Sequence, residues 1–311
     1  MPSNNSPIPC VDNICAVIVT YFPDRKFPER LKLILRQINF VIIVDNASSG
    51  ESRKMLSEIK NDGHVEILFN GANEGVARGL NLGIQQAQKL KFSWVITFDQ
   101  DTTVEPFMVS TLIDTYHQIK DKNSIAIIGV NHIDIYSNKL SVSRKYKGNL
   151  WIEKKNVITS GGFMQLSSFN KIGLFREEFF IDHVDHEYCL RAIQKGFKIY
   201  FILKPLMKHS IGEVKLHYVF GITRMCLPAT NHSPFRWYFI TRNAVILFIE
   251  YFLKDPIWSF CHLYRMLKAM GVMALFEKNR IQKFRFITLG ILDGLPFNTR
   301  RLIRPLPDQL T

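Results

Sequence analysis

The first 130 residues alternate between short apolar runs rich in β-forming residues and segments with helical periodicity, and this alternation constrains the fold more than any other feature. The runs that predict strands cover residues 14–23, 40–49, 65–70, 91–99 and 124–130. The segments that predict helices cover residues 27–38, 52–60, 71–90 and 106–119. Because strands and helices that alternate at short spacing form βαβ units, we predict an α/β fold with a mostly parallel, Rossmann-like sheet flanked by helices.

Polar side chains stand where each of the first four predicted strands ends. In a doubly wound sheet these ends lie on one edge and form a crevice in which ligands bind. Any one of them could be an ordinary turn residue, but four successive strands that end this way predict a binding site. The residues are Thr20 and Tyr21, Asp45 and Asn46, Asn70 and Asn73, and Asp99 and Asp101.

The stretch VITFDQDTT at residues 95–103 carries the most specific signal in this set. A buried strand is predicted to end in two carboxylates, Asp99 and Asp101, with one residue between them. Such a pair of hard oxygen ligands suits Mg²⁺ or Mn²⁺ that also holds substrate phosphates. The alternative is a helix cap or a turn, since Asp and Thr favour both.

The composition indicates a globular protein with a basic C-terminal quarter. The 311 residues are 47% hydrophobic and 22% charged, with a formal net charge of +13. Residues 236–311 hold twelve Lys and Arg against five Asp and Glu. A basic balance of this kind is compatible with nucleic acid, an anionic membrane surface or phosphorylated substrates.

The chain carries no pattern that predicts export or a membrane span. The N-terminus lacks a basic region followed by an apolar run, and the chain has no stretch of about 18 uncharged apolar residues. Its five cysteines are odd in number and lack metal-ligand spacing, which favours free thiols in a reducing compartment. We therefore expect a cytosolic protein.

Three regions are predicted along the chain. Residues 1–12 read as a disordered lead-in, residues 13–232 as the α/β domain, and residues 233–311 as a basic, aromatic helical extension. The predicted helices of the extension cover residues 235–255, 256–279 and 280–295.

Two features of the later α/β domain could be functional or purely structural. The pair Gly161–Gly162 either allows close backbone approach to a ligand or marks a bulge. Asp182 and Asp185 precede a helix predicted over residues 185–195, with Glu187 one turn inside it. Acids at that position also serve as helix caps that favour the positive end of the helix dipole.

Taken together and in order, the motifs of the chain resemble those of inverting family 2 glycosyltransferases with the GT-A nucleotide-sugar fold. More narrowly, the chain resembles bacterial dTDP-rhamnosyltransferases that build O-antigen or other surface polysaccharides. The segments that carry the resemblance are VTYFPD (19–24), VIIVDNAS (41–48), NEGVARGLNLGI (73–84), TFDQDT (97–102), SGGFMQLSS (160–168), FFIDHVDHEYCLR (179–191), HSIG (209–212), YFITRN (238–243) and ILDGL (291–295).

The resemblance, together with side-chain chemistry, implies roles for the residues at the sheet edge. Thr20, Tyr21 and Asp45 would hold the pyrimidine base and ribose, and Asn73 and Arg78 would support the region around the nucleotide and metal.

Metal binding would use a third ligand besides the two carboxylates. Asp99 and Asp101 would place Mg²⁺ or Mn²⁺ on the diphosphate of the donor. The resemblance implies His209 as the further ligand, although a lone histidine is more often structural.

Inverting transfer requires one base to deprotonate the acceptor hydroxyl. The family usually supplies it from an acidic pair ahead of a helix, whereas the matching positions here are Val184 and Asp185. We predict that Asp185 is the base, with Glu187 and Asp182 as the nearest alternatives.

The C-terminal extension also matches the family, in an Arg–Asn pair. Arg242 is predicted to contact the diphosphate or the acceptor, with a plain helix-surface role as the alternative. The basic aromatic helices predict peripheral association with the inner face of the cytoplasmic membrane, where a lipid-diphosphate acceptor would reside, or else ordinary helix packing.

Several alternatives remain open at the sequence level. A UDP- or GDP-hexose, or UDP-galactofuranose, could replace dTDP-rhamnose. Asp45 does not separate a dTDP-sugar from a UDP-sugar, since thymine and uracil present the same imide. Nucleotidyl transfer to a sugar phosphate would call for a Gly-rich phosphate loop after the first strand, which VTYFPDRKF lacks. A nucleic-acid-binding module would explain the charge, but the clustered carboxylates would repel a phosphate backbone, so no nucleic-acid partner is predicted.

Overall fold

The structure is a computed structural model, and it describes residues 7–60, 62–142, 150–209 and 231–296, with the backbone alone of 215–218 and 226–229. Residues 1–6 of the predicted lead-in and residues 210–212 of the HSIG motif lie outside the described residues. The chain divides into two compact units. The first comprises Met1–Glu177 and Val184–Ser210, and the second comprises Glu178–His183 and Ile211–Thr311.

The first unit has an α/β fold, as predicted. Its strands are β1 (Ile14–Thr20), β2 (Val41–Asp45), β3 (Val65–Phe69), β4 (Trp94–Asp99), β5 (Thr103–Val104), β6 (Ile125–Asp134), β7 (Trp151–Lys154), β8 (Gly162–Gln165) and β9 (Lys198–His209). Its helices are α1 (Phe27–Leu35), α2 (Gly50–Ile59), α3 (Gly75–Lys89), α4 (Met108–Gln118), α5 (Phe169–Ile172) and α6 (Val184–Gln194).

These strands form one sheet in the order β3-β2-β1-β4-β8-β6-β9-β5, with β7 paired to β9. The strands β3, β2, β1 and β4 are parallel, which agrees with the βαβ prediction. Strand β8 instead runs antiparallel to both β4 and β6, and β6 pairs in parallel with β9. The sequence indicated only an apolar stretch where β8 lies, because four residues are too few to show a period.

The core of the first unit is centred on β1, β2 and β4, whose apolar side chains are buried along nearly the whole length of each strand. Trp94 on β4 is fully buried, and its ring stacks on Phe163 of β8 at a centroid distance of 4.7 Å. On β1, the side chain of Val17 faces Gly83 of α3 so closely that a Cβ at this glycine would collide with it. The glycines of α3 therefore allow the helix to pack directly on the sheet.

The pair Gly161–Gly162 is explained by packing and turn geometry. Gly161 has φ of +76°, which favours glycine, and a Cβ on Gly162 would lie 2.6 Å from Ile127 Cδ1 and 2.9 Å from the carbonyl oxygen of Thr159. The backbone of β8 thus approaches its neighbours closely at this point.

The described residues of the second unit form three helices and a two-stranded antiparallel sheet. These are β10 (Lys215–Tyr218), β11 (Cys226–Ala229), α7 (Pro234–Tyr251), α8 (Pro256–Phe276) and α9 (Arg280–Gly294), close to the predicted helix boundaries. The buried contact between α7, α8 and α9 centres on Trp237, Met273 and Ile287. Within the described residues, no helix is both long and apolar enough to cross a membrane.

The cysteines with described side chains carry free thiols and differ in exposure. Cys15 and Cys189 are buried in the first unit, whereas Cys10 in the first unit and Cys261 in the second are exposed. Burial raises the pKa of the Cys189 thiol to about 12 and that of Cys15 still further above its ordinary value.

Candidate active site

The register of the sheet brings the predicted strand-end residues to one edge. Thr20, the last residue of β1, pairs with Asp45, the last residue of β2. On the other side of β1, Val19 pairs with Asp99, the last residue of β4. The predicted convergence of these polar side chains at the carboxyl ends of the strands is therefore confirmed.

The turn after β4 is fixed by hydrogen bonds that leave the two carboxylates on its surface. The Thr102 amide donates to the carbonyl oxygen of Asp99 at 3.1 Å. The Ser160 hydroxyl accepts from the Asp99 amide at 3.2 Å and pairs with the Thr102 hydroxyl at 2.7 Å. The side chains of Asp99 and Asp101 are 41% and 40% exposed, so both can reach a ligand in solvent.

His209, the last residue of β9, completes a cluster with these carboxylates. Its Nε2 lies 3.6 Å from Asp99 Oδ2, and its Nδ1 lies 3.4 Å from Asp101 Oδ1. One ligand atom from each of the three residues falls within 4.8 Å of the others. This cluster forms because β5, which follows the carboxylates, pairs antiparallel with the end of β9.

The electrostatics of the cluster suit a divalent cation. Burial by itself lowers the pKa of His209, but the hydrogen bond with Asp101 and the negative charge of Asp99 together raise it above its ordinary value. The same negative potential would attract a metal ion, and two carboxylates with one imidazole are ligands that Mn²⁺ and Mg²⁺ accept. The residues present therefore fit the predicted metal.

Asp45 is fully buried at the sheet edge. Its carboxylate accepts from the Thr20 hydroxyl at 3.0 Å, from the Ser48 amide at 2.9 Å and from the Ser48 hydroxyl at 2.5 Å. Arg53 lies 3.9 Å from the carboxylate, and its guanidinium stands over the Phe69 ring at 3.4 Å. Asp45 therefore orients Thr20 and Ser48, a role that the sequence did not indicate for Ser48.

Gln100, between the two acids of the D-x-D motif, links this motif to the end of β1. Its side chain accepts from the Tyr21 amide at 2.8 Å and donates to the Tyr21 carbonyl at 3.1 Å. Tyr21 and Phe22 are about half exposed and form an edge-to-face pair with centroids 4.8 Å apart. Sequence reasoning missed Gln100, because the middle position of the motif carries no charge or periodicity that marks it.

Asn73 and Arg78 take local partners at the start of α3. The Asn73 side chain accepts from the Gly75 amide at 3.0 Å. Arg78 donates to Glu177 at 3.0 Å and lies 3.6 Å from Glu74. Their predicted part in nucleotide binding stays a prediction.

The predicted base and one of its alternatives lie in the first turn of α6 and differ in environment. Asp185 has a side chain that is 20% exposed, and its Oδ1 lies 2.9 Å from His186 Nδ1. Glu187 is fully buried, and both of its oxygens accept from Arg191 at 2.7 and 2.9 Å. The spacing of Glu187 and Arg191 by four residues is the sequence signal for this ion pair.

The other predicted residues belong to the second unit. Asp182 forms a bidentate ion pair with Arg236, with contacts of 2.9 and 3.0 Å. Arg242 is 6% exposed, and its Nη1 donates to the carbonyl oxygen of Glu178 at 2.7 Å. The predicted contact of Arg242 with the diphosphate or the acceptor stays a prediction.

Comparison with known proteins identifies relatives of the chain. The family model described as glycosyl transferase family 2 matches residues 15–173, just over half of the chain. The chain is 29% identical over 302 residues to the dTDP-rhamnosyl transferase RfbF of Shigella flexneri, covering 91% of this chain and 95% of that protein.

Two solved structures show a similar fold. The crystal structure of S. aureus TarS 1-349 matches with a TM-score of 0.56 at 13% identity, over 91% of this chain and 81% of that one. The crystal structure of GalNAc-T7 with UDP, GalNAc and Mn²⁺ matches with a TM-score of 0.53 at 15% identity, over 76% of this chain and 51% of that one.

Proposed function

Since the chain belongs to glycosyl transferase family 2 and is a glycosyltransferase with the GT-A fold, we propose that it transfers L-rhamnose from dTDP-L-rhamnose, with inversion, to a growing surface polysaccharide. The observation that supports dTDP-L-rhamnose as the donor is the match to a dTDP-rhamnosyl transferase along nearly the full length of both proteins. The transfer itself is supported by the acidic cluster at the carboxyl edge of the sheet.

The donor nucleotide would lie along the edge formed by β1, β2 and β4. Thr20, Asp45 and the exposed Tyr21 would contact or orient the base and ribose. Asn73 and Arg78 would support the same region from α3. The contacts of Gln100 with Tyr21 would keep the base site at a fixed distance from the diphosphate site.

Asp99, Asp101 and His209 would hold Mg²⁺ or Mn²⁺ on the diphosphate. When bound, the cation would offset the charge that develops on the leaving diphosphate. The match to GalNAc-T7, whose crystal structure holds Mn²⁺, supports a divalent ion in this fold.

In the proposed reaction an acceptor hydroxyl attacks the anomeric carbon of rhamnose. The new carbon–oxygen bond forms as the bond from that carbon to the β-phosphate oxygen breaks, and dTDP leaves. The hydroxyl proton passes to the carboxylate of Asp185. We choose Asp185 because it stands at the position of the family's acidic pair ahead of a helix and its side chain is 20% exposed, whereas Glu187 is fully buried. Glu187 and Asp182 are the alternatives.

For the acceptor we propose a glycan on a lipid diphosphate, reached by peripheral binding to the cytoplasmic face of the membrane. On α8, exposed apolar side chains recur at spacings of three and four and so share one face, namely Ile257, Phe260, Tyr264 and Leu267. The charged residues described as exposed between 234 and 296 are all cationic, namely Lys254, Arg265, Lys268, Lys278, Arg280 and Arg285. An apolar face among cations suits an anionic bilayer.

Donor hydrolysis by the purified protein tests the donor and the reaction class together. Nucleotide release is measured with Mg²⁺ or Mn²⁺ across a panel of nucleotide sugars without acceptor. We expect slow, metal-dependent release of dTDP from dTDP-L-rhamnose. Faster release from a UDP- or GDP-sugar would overturn the rhamnosyl assignment but retain the enzyme class.

Substitution of Asp185 tests the proposed base. Asp185→Asn should lower turnover by at least a hundredfold, because an amide does not accept the proton, while dTDP should bind as it does to the unmodified chain. Asp114→Asn, which changes an exposed carboxylate of α4, is the matched control. An active Asp185→Asn variant would refute the assignment.

Liposome sedimentation tests the membrane contact. The double variant Phe260→Ser, Leu267→Ser should bind anionic vesicles at least tenfold more weakly than the unmodified chain. Leu90→Ser removes an exposed apolar side chain from the first unit and should bind as the unmodified chain does. Equal binding by the double variant would exclude the α8 face as the contact.

A further inference from the structure

The six residues that precede α6, Glu178–His183, hold an unusual backbone conformation, and we name them the pre-α6 segment. Asp182 and His183 are consecutive and both have φ of +61°. Residues other than glycine rarely adopt this left-handed backbone conformation, and two such residues in succession require the surrounding structure to stabilise them. The segment leads directly into α6, whose second residue is Asp185.

Two neighbouring residues of α7 hold the backbone of this segment. The Asn243 side-chain amide donates to the carbonyl oxygens of both Ile181 and Asp182 at 3.0 Å. Arg242 donates to the carbonyl oxygen of Glu178 at 2.7 Å and contacts Asn243 Oδ1 at 3.3 Å. Asn243 is fully buried and Arg242 is 6% exposed, so water does not compete for these hydrogen bonds.

Two further contacts hold side chains of the segment against the same helix. Arg236 forms its bidentate ion pair with Asp182, the first of the two left-handed residues. The Phe180 ring stacks on Phe239 with centroids 5.1 Å apart and an interplanar angle of 19°. The segment is therefore fixed at its beginning, middle and end by residues of one helix.

We propose that Asn243, Arg242 and Arg236 are positioning residues for transfer, which hold the pre-α6 segment in the conformation that presents Asp185 as the base. The inference rests on the proposed role of Asp185. Asp182 and His183 are the last two residues before Val184, where α6 begins, so a change in their dihedral angles is passed along the backbone to the first turn of α6. Loss of the hydrogen bonds would let these residues relax to ordinary dihedral angles and displace the base.

The arrangement explains the Arg–Asn pair of α7 in a way that the sequence did not suggest. The sequence predicts that Arg242 contacts the diphosphate or the acceptor. In the structure its Nη1 donates to the carbonyl oxygen of Glu178 and to Asn243 Oδ1, and the Asn243 amide donates to two backbone carbonyl oxygens. Helix packing alone does not account for this pattern, because the bonds converge on a segment outside the helices and not on a neighbouring helix. The adjacent Thr241 shows the contrast, since its hydroxyl contacts only helix carbonyl oxygens in the described residues, those of Trp237 and Tyr238 in its own helix and of Ile287 in α9.

Asn243→Leu is the principal test, because it preserves the size of the side chain and removes both donors. With the nucleotide sugar that the unmodified enzyme hydrolyses fastest, we expect kcat to fall at least tenfold while the donor KM and the affinity for the free nucleotide change less than twofold. Thr241→Val, a buried isosteric change on the same helix, should leave kcat within twofold. This split between kcat and KM separates positioning from a general loss of structure.

Arg236→Lys provides a second test that does not disturb a buried position, since the Arg236 side chain is 38% exposed. Lysine keeps the charge beside Asp182 but not the bidentate geometry, and we expect a threefold to tenfold lower kcat at unchanged nucleotide affinity. Arg236→Gln, which also loses the charge, should lower kcat further.

The outcomes distinguish this inference from the proposed function. If Asp185→Asn is inactive while Asn243→Leu and Arg236→Lys retain the kcat of the unmodified enzyme, the positioning role is overturned and the base assignment stands. If Asp185→Asn is active, the base assignment itself fails. If either variant raises the donor KM or weakens nucleotide binding tenfold without lowering kcat, the α7 residues act in binding and the positioning role is again overturned.

Discussion

Replacement of Asp101 by asparagine should weaken metal binding by about a hundredfold. The variant keeps an oxygen atom near the cation but removes one of the two negative charges that the cluster offers. Because the Asp101 side chain is 40% exposed, water screens its charge strongly. A dielectric constant of about 80 and a separation of about 3 Å then give about 3 kcal/mol between a divalent ion and one carboxylate, which corresponds to about a hundredfold in Kd.

Mn²⁺ binding can be measured directly by electron paramagnetic resonance, with and without dTDP, so that metal affinity is separated from turnover. Asp114→Asn, which removes an exposed carboxylate from α4, serves as the control and should bind Mn²⁺ as the unmodified chain does. Donor hydrolysis by Asp101→Asn should recover in part when Mn²⁺ is raised in proportion to the lost affinity. Equal Mn²⁺ affinity in Asp101→Asn and the control would refute the assignment of the cluster as the metal site.

Three further predictions concern other parts of the chain. Gln100→Ala removes both hydrogen bonds to Tyr21. Because two hydrogen bonds contribute about 1–3 kcal/mol, the affinity for dTDP, measured by calorimetry, should fall about tenfold. An unchanged affinity would contradict a link between the two parts of the site. Gly83→Ala should destabilise the first unit to urea by about 1–2 kcal/mol through overpacking, whereas Gly271→Ala, on α8 with open space around it, should stabilise its helix by up to about 1 kcal/mol. Burial, and then the charge of Arg236, lower the pKa of His232 to about 4. As the pH falls, the unfolded chain therefore binds a proton on this residue before the folded chain does, and the free energy of unfolding should decrease between about pH 6.5 and pH 4, by at most about 1.4 kcal/mol per pH unit. Urea unfolding of His232→Gln should lack this contribution, and the same pH dependence in the variant would contradict the prediction.

The parallel part of the sheet could be predicted from the sequence because each strand is long enough to show its apolar run and ends in a polar residue. The edge formed by Thr20, Asp45 and Asp99 follows from that prediction and the register alone. The position of His209 beside Asp99 and Asp101 could not be predicted in this way. It depends on the antiparallel pairing of β5 with the end of β9, which are more than a hundred residues apart in the sequence. Only the family resemblance indicated this histidine.

The environment of the acidic residues before and within α6 could not be predicted from the sequence, for a different physical reason. Their identities and spacing are visible, but a carboxylate's availability depends on its partner. Glu187 and Asp182 each meet an arginine, one four residues away and the other on α7 more than fifty residues later. The left-handed backbone of Asp182 and His183 is likewise set by distant donors and not by local propensity.

The distribution of thiols gives the chain a natural pair of attachment points. Alkylating reagents react with thiolates, and the high pKa values of the buried Cys15 and Cys189 keep these two groups protonated at neutral pH. Cys10 and Cys261 are exposed, with one in each compact unit. Once Cys226 is replaced by serine, two fluorophores attached at these positions would report by energy transfer on whether the units change their separation when a donor nucleotide binds, without any engineered cysteine.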